Sequence, residues 1–199
     1  MSKDFWDKRY SEEEFAYGTT PNEFVKSVID KLKPGKALFL GEGEGRNAVY
    51  AASLGWNVHA VDFSESAKEK ALKLASDNNV VINYTISDLE NYQFIENKYD
   101  MIVMVFLHLP AKINQIIFEG SISSLKVTGK LIIETFSKEQ INNSSGGPKD
   151  LQLLFSESEL LDLTFQLQTN FLESKTIYLN EGAYHIGKAD VIRYVGVKI

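Results

Sequence analysis

The sequence predicts an α/β domain built on a doubly wound, mostly parallel sheet that ends in an antiparallel hairpin. Three observations carry this. Strand-like apolar runs alternate with helix-like segments from residue 21 to residue 136. A glycine-rich stretch, Gly41-Glu42-Gly43-Glu44-Gly45, joins the first strand directly to a helix. Two long β-like segments close the chain.

The elements follow in order. Residues 21–32 place Phe24, Val25, Val28, Ile29 and Leu32 on one helical face, and Pro34-Gly35 ends that helix. The first strand is 36–40. A helix over about 46–54 stops at Gly55, a natural C-terminal cap. The second strand is 57–61, ending at Asp62. The next helix, 64–77, carries Ser66 and Glu69 at capping-box spacing, and residues 80–85 are the third strand. Residues 100–106 are a nearly continuous apolar run, as expected for a central strand covered on both faces. A helix over 110–125 and a strand over 129–136 follow. Residues 137–154 are the least regular, and Ser156 with Glu159 begins another capped helix. The segments 165–178 and 189–198 form the closing pair, joined through Asn180-Glu181-Gly182. The total is a single Rossmann-like seven-stranded sheet. Without a repeat or linker, residues 1–199 are expected to be one domain.

Composition narrows the function classes. The chain has no cysteine, which excludes disulfides, cysteine zinc sites and thiol nucleophiles, and its three histidines do not form a metal motif. A formal net charge of −6 argues against a surface that tracks phosphates, so no nucleic-acid partner is expected. No apolar run approaches the roughly 20 residues that span a bilayer. The charged start, residues 1–9, lacks a signal peptide's apolar region. A cytoplasmic protein without a membrane partner, monomeric or homodimeric, is the expectation. Arginine occurs only at Arg9, Arg46 and Arg193, each in a segment that is constrained for other reasons.

The glycine loop and two aspartates carry the chemistry. Any side chain in the loop would hold a ligand off the backbone, and the helix start beyond it offers free N–H groups. Asp62 lies 19 residues beyond Gly43, where a carboxylate can accept both hydroxyls of a ribose. Asp88 follows the third strand, within reach of an adenine amino group. All three positions fall at the C-terminal ends of consecutive strands, the edge where doubly wound sheets take ligands. A dinucleotide loop has the spacing G-x-G-x-x-G. Here the spacing is G-x-G-x-G, flanked by Glu42 and Glu44, which suits the cationic sulfonium of S-adenosylmethionine better than a pyrophosphate. A nicotinamide-dependent oxidoreductase is the disfavoured reading of the same loop.

With these residues in place, the sequence resembles the class I S-adenosylmethionine-dependent methyltransferases, in the branch of tellurite-resistance and thiopurine methyltransferase-like proteins. The carriers are Trp6-Asp7-Lys8-Arg9-Tyr10, Tyr17-Gly18-Thr19-Thr20-Pro21-Asn22, the glycine loop with Arg46-Asn47, and Val61-Asp62-Phe63-Ser64. Further carriers are Phe106-Leu107-His108-Leu109-Pro110, Gly146-Gly147-Pro148-Lys149 and Tyr184-His185-Ile186-Gly187. The resemblance implies that Gly41, Gly43 and Gly45 hold the methionine part of the cofactor. It implies that Asp62 binds the ribose, Phe63 borders the adenine, and Asp88 and Leu89 reach the adenine edge. Met104 and Val105 are expected under the sulfonium. Arg46 faces the cofactor carboxylate or makes an ion pair on its helix. Many members carry an acid two positions before the first glycine, but this chain has Phe39, so Glu42 is expected to take over that role.

The candidates for acceptor chemistry are His108, His185 and Arg193. A neutral imidazole can take a proton from an oxygen, nitrogen or thiol acceptor, and His108 has a helix-cap role as its other reading. His59, within the second strand, is expected in packing or exposed at an edge. Phe5, Trp6, Tyr10 and Tyr17 are either a lid or a docked helix. The expected function is methyl transfer from S-adenosylmethionine to a small-molecule acceptor. The alternative is a protein that binds S-adenosylmethionine without turnover.

Overall fold

Parallel pairing organises the first five strands. β1 (Lys36–Leu40) lies between β2 (Asn57–Asp62) and β4 (Tyr99–Val105), parallel to both. β3 (Asn83–Ile86) extends the sheet beside β2, and β5 (Leu125–Phe136) extends it beside β4. β7 (His185–Lys198) joins β5 antiparallel, and β6 (Leu167–Glu181) pairs with β7 at the outer edge. The order is β3-β2-β1-β4-β5-β7-β6, so the expected seven-stranded, mostly parallel sheet with its terminal hairpin is borne out. The structure is a computed structural model and describes residues 3–199; Met1 and Ser2 of the charged start lie outside it. Among the described residues no helix is long and apolar enough to cross a membrane.

Strand alternation divides the core into two layers. Ala37, Phe39, Val58, Met101 and Val103 face α2 (Glu23–Ile29), α3 (Arg46–Ser53) and α4 (Glu65–Asp77). Leu38, Leu40, Val61, Ile102 and Met104 face α5 (Ala111–Ser124) and α6 (Glu157–Leu163). α1 (Lys3–Tyr10) packs against α4 near the C-terminal edge of the parallel strands. Strand order reverses between β1 and β4, and that switch point opens the cleft described below.

Several boundaries differ from expectation. The cap of α4 is Ser64, whose hydroxyl accepts the Ala67 amide at 3.1 Å, rather than Ser66. β3 starts at Asn83 because Asn79 turns the chain with φ 56° after α4, and Val81 crosses exposed before pairing begins. β5 starts at Leu125, and a register shift opposite Tyr99 and Met101 absorbs residues 126–129. β6 and β7 are longer than expected and close on the pair Glu181 and His185, with Gly182-Ala183-Tyr184 as the turn. The Ser156–Glu159 capping box forms as expected.

Candidate active site

β1 delivers the glycine loop to the switch point. Gly41, Gly43 and Gly45 all have positive φ, and the amides of Gly41 and Glu42 donate to the Val61 carbonyl at 2.9 and 3.3 Å. These bonds tie the loop to the end of β2. Gly43 shows why only glycine serves. At φ 58° a β-carbon there would stand 2.8 Å from the Tyr10 hydroxyl, closing the space between the loop and α1. The Gly43 amide donates to Asp62 Oδ2 at 3.0 Å, and its carbonyl accepts the Tyr84 hydroxyl at 2.7 Å.

Two carboxyls beside the loop titrate far above their usual range. Burial pushes Asp62 up to about 6 against the pull of the Ser64, Gly43 and Phe63 amides. Burial pushes Glu42 up to about 7, although its Oε1 accepts the Asn47 and Ala48 amides at 2.9 and 2.7 Å. Glu42 therefore caps the start of α3, a second task the sequence did not suggest. Glu44 lines the cleft as well, but it pairs with Lys70 at 2.7 Å and accepts the Ala16 amide at 2.8 Å, so it also anchors the N-terminal segment. Phe39, where the resemblance leads to the expectation of an acid, is fully buried in the layer under α2 and α3.

A cleft of about 1230 Å³ runs from this loop past the ends of β2 and β4 to the β6–β7 turn. Gly41, Glu42, Gly43, Arg46, Asp62, Phe63, Asp88, Leu89, Val105, His108 and His185 all line it. Asp88 also caps a short 3-10 turn by accepting the Glu90 amide at 3.1 Å. Gly45, Met104 and Arg193 are outside the lining. Gly45 starts α3 against Ala71. Met104 follows the alternation of β4 and packs with Leu38 and Leu40, leaving only Val105 toward the cleft. Arg193, opposite Glu134 in the β5–β7 register, donates from Nε to Glu134 Oε2 and lies over the Phe24 ring. It belongs to a buried network, not to the cleft wall.

α1 forms the third wall. Phe5, Trp6, Tyr10 and Tyr17 line the cleft, with Trp6 stacked on Tyr10 at 5.5 Å. Ser64, while capping α4, donates its hydroxyl to Asp7, which fixes α1 to the same helix start. Arg9 donates to the Tyr17 hydroxyl at 2.8 Å and lies over the Tyr184 ring at 4.1 Å. The docked helix thus also covers the cleft, joining the two alternatives read from the sequence.

The far end is aromatic and holds two imidazoles. His108 donates from Nδ1 to the Leu153 carbonyl at 2.7 Å, and burial holds it down at about 4. Its Nε2 is buried without a hydrogen-bond partner. His185 begins β7, packed against Tyr17 at 4.5 Å and Phe106 at 4.8 Å between ring centroids. Burial lowers its pKa while Glu181 opposes the shift. Arg46 makes an ion pair, but a buried one across to β6 and not on its own helix, bonding Glu181 at 2.9 Å and the Tyr17 carbonyl at 3.3 Å while remaining in the lining. His59 is remote, bonded to Tyr99 and Thr85 on the sheet. Glu181, Glu134 and Asn22 were missed as a group. Only Glu134, an acid inside the expected strand 129–136, carries a sequence signal, since a buried charge needs a partner.

Known proteins match this chain along most of its length. The family model "Tellurite resistance protein TehB" matches residues 2–174. A Haemophilus influenzae (Rd) protein named "Probable S-adenosyl-L-methionine-dependent methyltransferase TehB" is 26% identical over 191 residues, 94% of this chain and 60% of that one. The "Ubiquinone biosynthesis O-methyltransferase" of Rickettsia bellii (strain OSU 85-389) is 29% identical over 119 residues, 58% of this chain and 48% of that one. The chain therefore spans less than two thirds of the length of these curated relatives. The crystal structure of TehB from Haemophilus influenzae superposes with a TM-score of 0.74 at 21% identity, covering 99% of this chain and 67% of that one. That likeness is one of fold.

Proposed function

Because the chain belongs to the tellurite resistance protein TehB family, we propose that it transfers a methyl group from S-adenosylmethionine to a small-molecule acceptor. The observation that carries this reading is the setting of the glycine loop. Amides and three acidic side chains, Glu42, Asp62 and Asp88, meet at the strand ends in one cleft. The residues present fit that cofactor. Gly41 and Gly43 line the cleft with no side chain to hold a ligand off the backbone, and the carboxylates suit an ammonium, a ribose diol and an adenine amino group. At about 1230 Å³, the cleft also has room for an acceptor beside a ligand of that size.

In this reading the backbone of residues 41–45 holds the methionine part and Glu42 its ammonium. Asp62 takes the ribose, Phe63 borders the adenine, and Asp88 with Leu89 meets the adenine edge. When bound, the cofactor supplies an electrophilic methyl group on a cationic sulfur. The chain contributes placement, which can be worth on the order of 7–11 kcal/mol in well-oriented reactions. The aromatic wall of α1 excludes water, and two neutral imidazoles offer proton acceptors at the far end. An aromatic chamber of this kind favours a small acceptor over a nucleic acid.

A second reading, binding without turnover, is favoured by Phe39 in place of an acid. Calorimetry with S-adenosylmethionine, followed by mass-spectrometric detection of S-adenosylhomocysteine, separates the two. The acceptor panel is thiols, chalcogen oxyanions and small amines. Donor binding with product from at least one acceptor is the expected outcome. Tight binding without product from any of them would favour the second reading, and no binding of the donor would overturn both.

A further inference from the structure

We infer that Glu181 is a positioning residue that, bonded to Arg46 and facing Nδ1 of His185, sets that imidazole to receive the proton an acceptor loses. This rests on the methyl-transfer reading above. Glu181 and His185 are the last cross-strand pair of the hairpin, so backbone register brings them together. Glu181 Oε2 accepts from Arg46 at 2.9 Å and faces His185 Nδ1 at 3.4 Å, while Oε1 accepts from Asn22 Nδ2 at 3.3 Å. An ionised carboxylate only accepts, so Nδ1 carries the hydrogen and Nε2 is the basic atom. Nε2 lies beside the Gly146 wall of the cleft, 3.0 Å from where a β-carbon on that residue would stand. The 3.4 Å contact is long, as such contacts commonly are before a site fills.

The charge balance gives the pair its purpose. In the transfer the acceptor atom gains the methyl carbon, the S–CH3 bond breaks with its electron pair left on sulfur, and the acceptor's proton passes to Nε2. Positive charge thus moves from sulfur to imidazole, beside a carboxylate that is already ionised. Burial would raise the Glu181 carboxyl, but His185 and Arg46 hold it down at about 2. The charged and titratable groups around the ring are Glu181 on β6, Arg46 on α3, Arg9 on α1, Tyr17 in the loop before α2, and His108 after β4. Only Glu181 among them stabilises the imidazolium.

Imidazole 15N titration in the presence of S-adenosylhomocysteine tests this without any acceptor, since only three histidines need be resolved. His185 is expected as the Nδ1–H tautomer in the unaltered protein. In Glu181→Gln, which keeps an amide oxygen and loses the charge, its pKa is expected to fall by about one pH unit. Glu181→Asp, which keeps the charge, should hold it nearer the original value. With whichever acceptor of the panel gives product, the acid limb of kcat/KM moves to lower pH by the same step in Glu181→Gln. An Nε2–H tautomer, or a pKa unmoved by removing the charge, would overturn the inference and leave the methyltransferase reading standing. Absence of donor binding in calorimetry would overturn that reading instead.

Discussion

Glu42 accepts two amides from the first turn of α3, yet burial still holds its carboxyl at about 7. Its ordinary value is 4.5, so its folded pKa is raised. A raised carboxyl contributes stability that is full below about 4.5 and is lost as pH rises through about 7. The ligand-free protein therefore carries a cost at this position at neutral pH, and a bound cation would offset it. Glu42→Gln keeps an oxygen for the α3 amides and removes the charge. In scanning calorimetry without ligand, the variant should unfold near the unaltered protein at pH 5 and at higher temperature at pH 8. Its affinity for S-adenosylmethionine should fall by roughly tenfold to a hundredfold, the loss of one hydrogen bond to a charged group. An unchanged dissociation constant would remove Glu42 from the ammonium site. Residues such as Gly43, Asp62 and Asp88 were legible in the sequence because residue type and strand-end position point the same way. The second task of Glu42 was not, since a carboxylate's partners depend on where the next helix begins.

At the scale of elements, strands with one dominant signal were the easiest to read. β1, β2 and β4 are apolar runs bounded by turn residues, and their expected limits lie within about a residue of those observed, as periodicity allows. β6 is different. Over Leu167–Glu181 most side chains are exposed or half-buried, so no alternation marks where it stops. Its last residue, and hence the Glu181–His185 pair, lay beyond the expected end at residue 178. The turn that follows is sterically exacting. Gly182 has φ 66°, and a β-carbon there would stand 2.4 Å from the Ala16 carbonyl oxygen and 2.6 Å from the Gly18 amide nitrogen, both backbone atoms. That segment is fixed in turn by Glu44 through the Ala16 amide. Gly182→Ala should accordingly destabilise the protein by about 1–3 kcal/mol, through strain that no rotamer can relieve. A lowered urea midpoint with an unchanged slope would agree with this. A midpoint equal to that of the unaltered protein would show that the hairpin tip and the Ala16–Gly18 loop are not locked together.

Across the whole molecule, one buried polar chain crosses layers that are distant in sequence. Asn22, at the start of α2, donates to Glu134 on β5 at 2.6 Å and to Glu181 on β6 at 3.3 Å. Glu134 is bonded by Arg193 on β7, and Glu181 by Arg46 on α3. Arg193 stands out in the sequence as one of three arginines, but only the β5–β7 register shows that its partner is a carboxylate. Its place outside the cleft leads to a prediction that separates structure from catalysis. Arg193→Met would fill similar space and leave Glu134 without its counter-charge in a site where burial already raises its pKa. Breaking a buried pair from one side costs about 3–5 kcal/mol, and replacing both partners with apolar residues costs far less. Arg193→Met should therefore lower urea stability by about that amount. Because the carboxyl's folded pKa would rise further, the deficit should be larger at pH 8 than at pH 5. Adding Glu134→Leu should recover most of the loss. If Arg193→Met instead keeps its stability at both pH values and loses only methyl transfer, the guanidinium acts in the reaction, as its place among the candidates for acceptor chemistry implied.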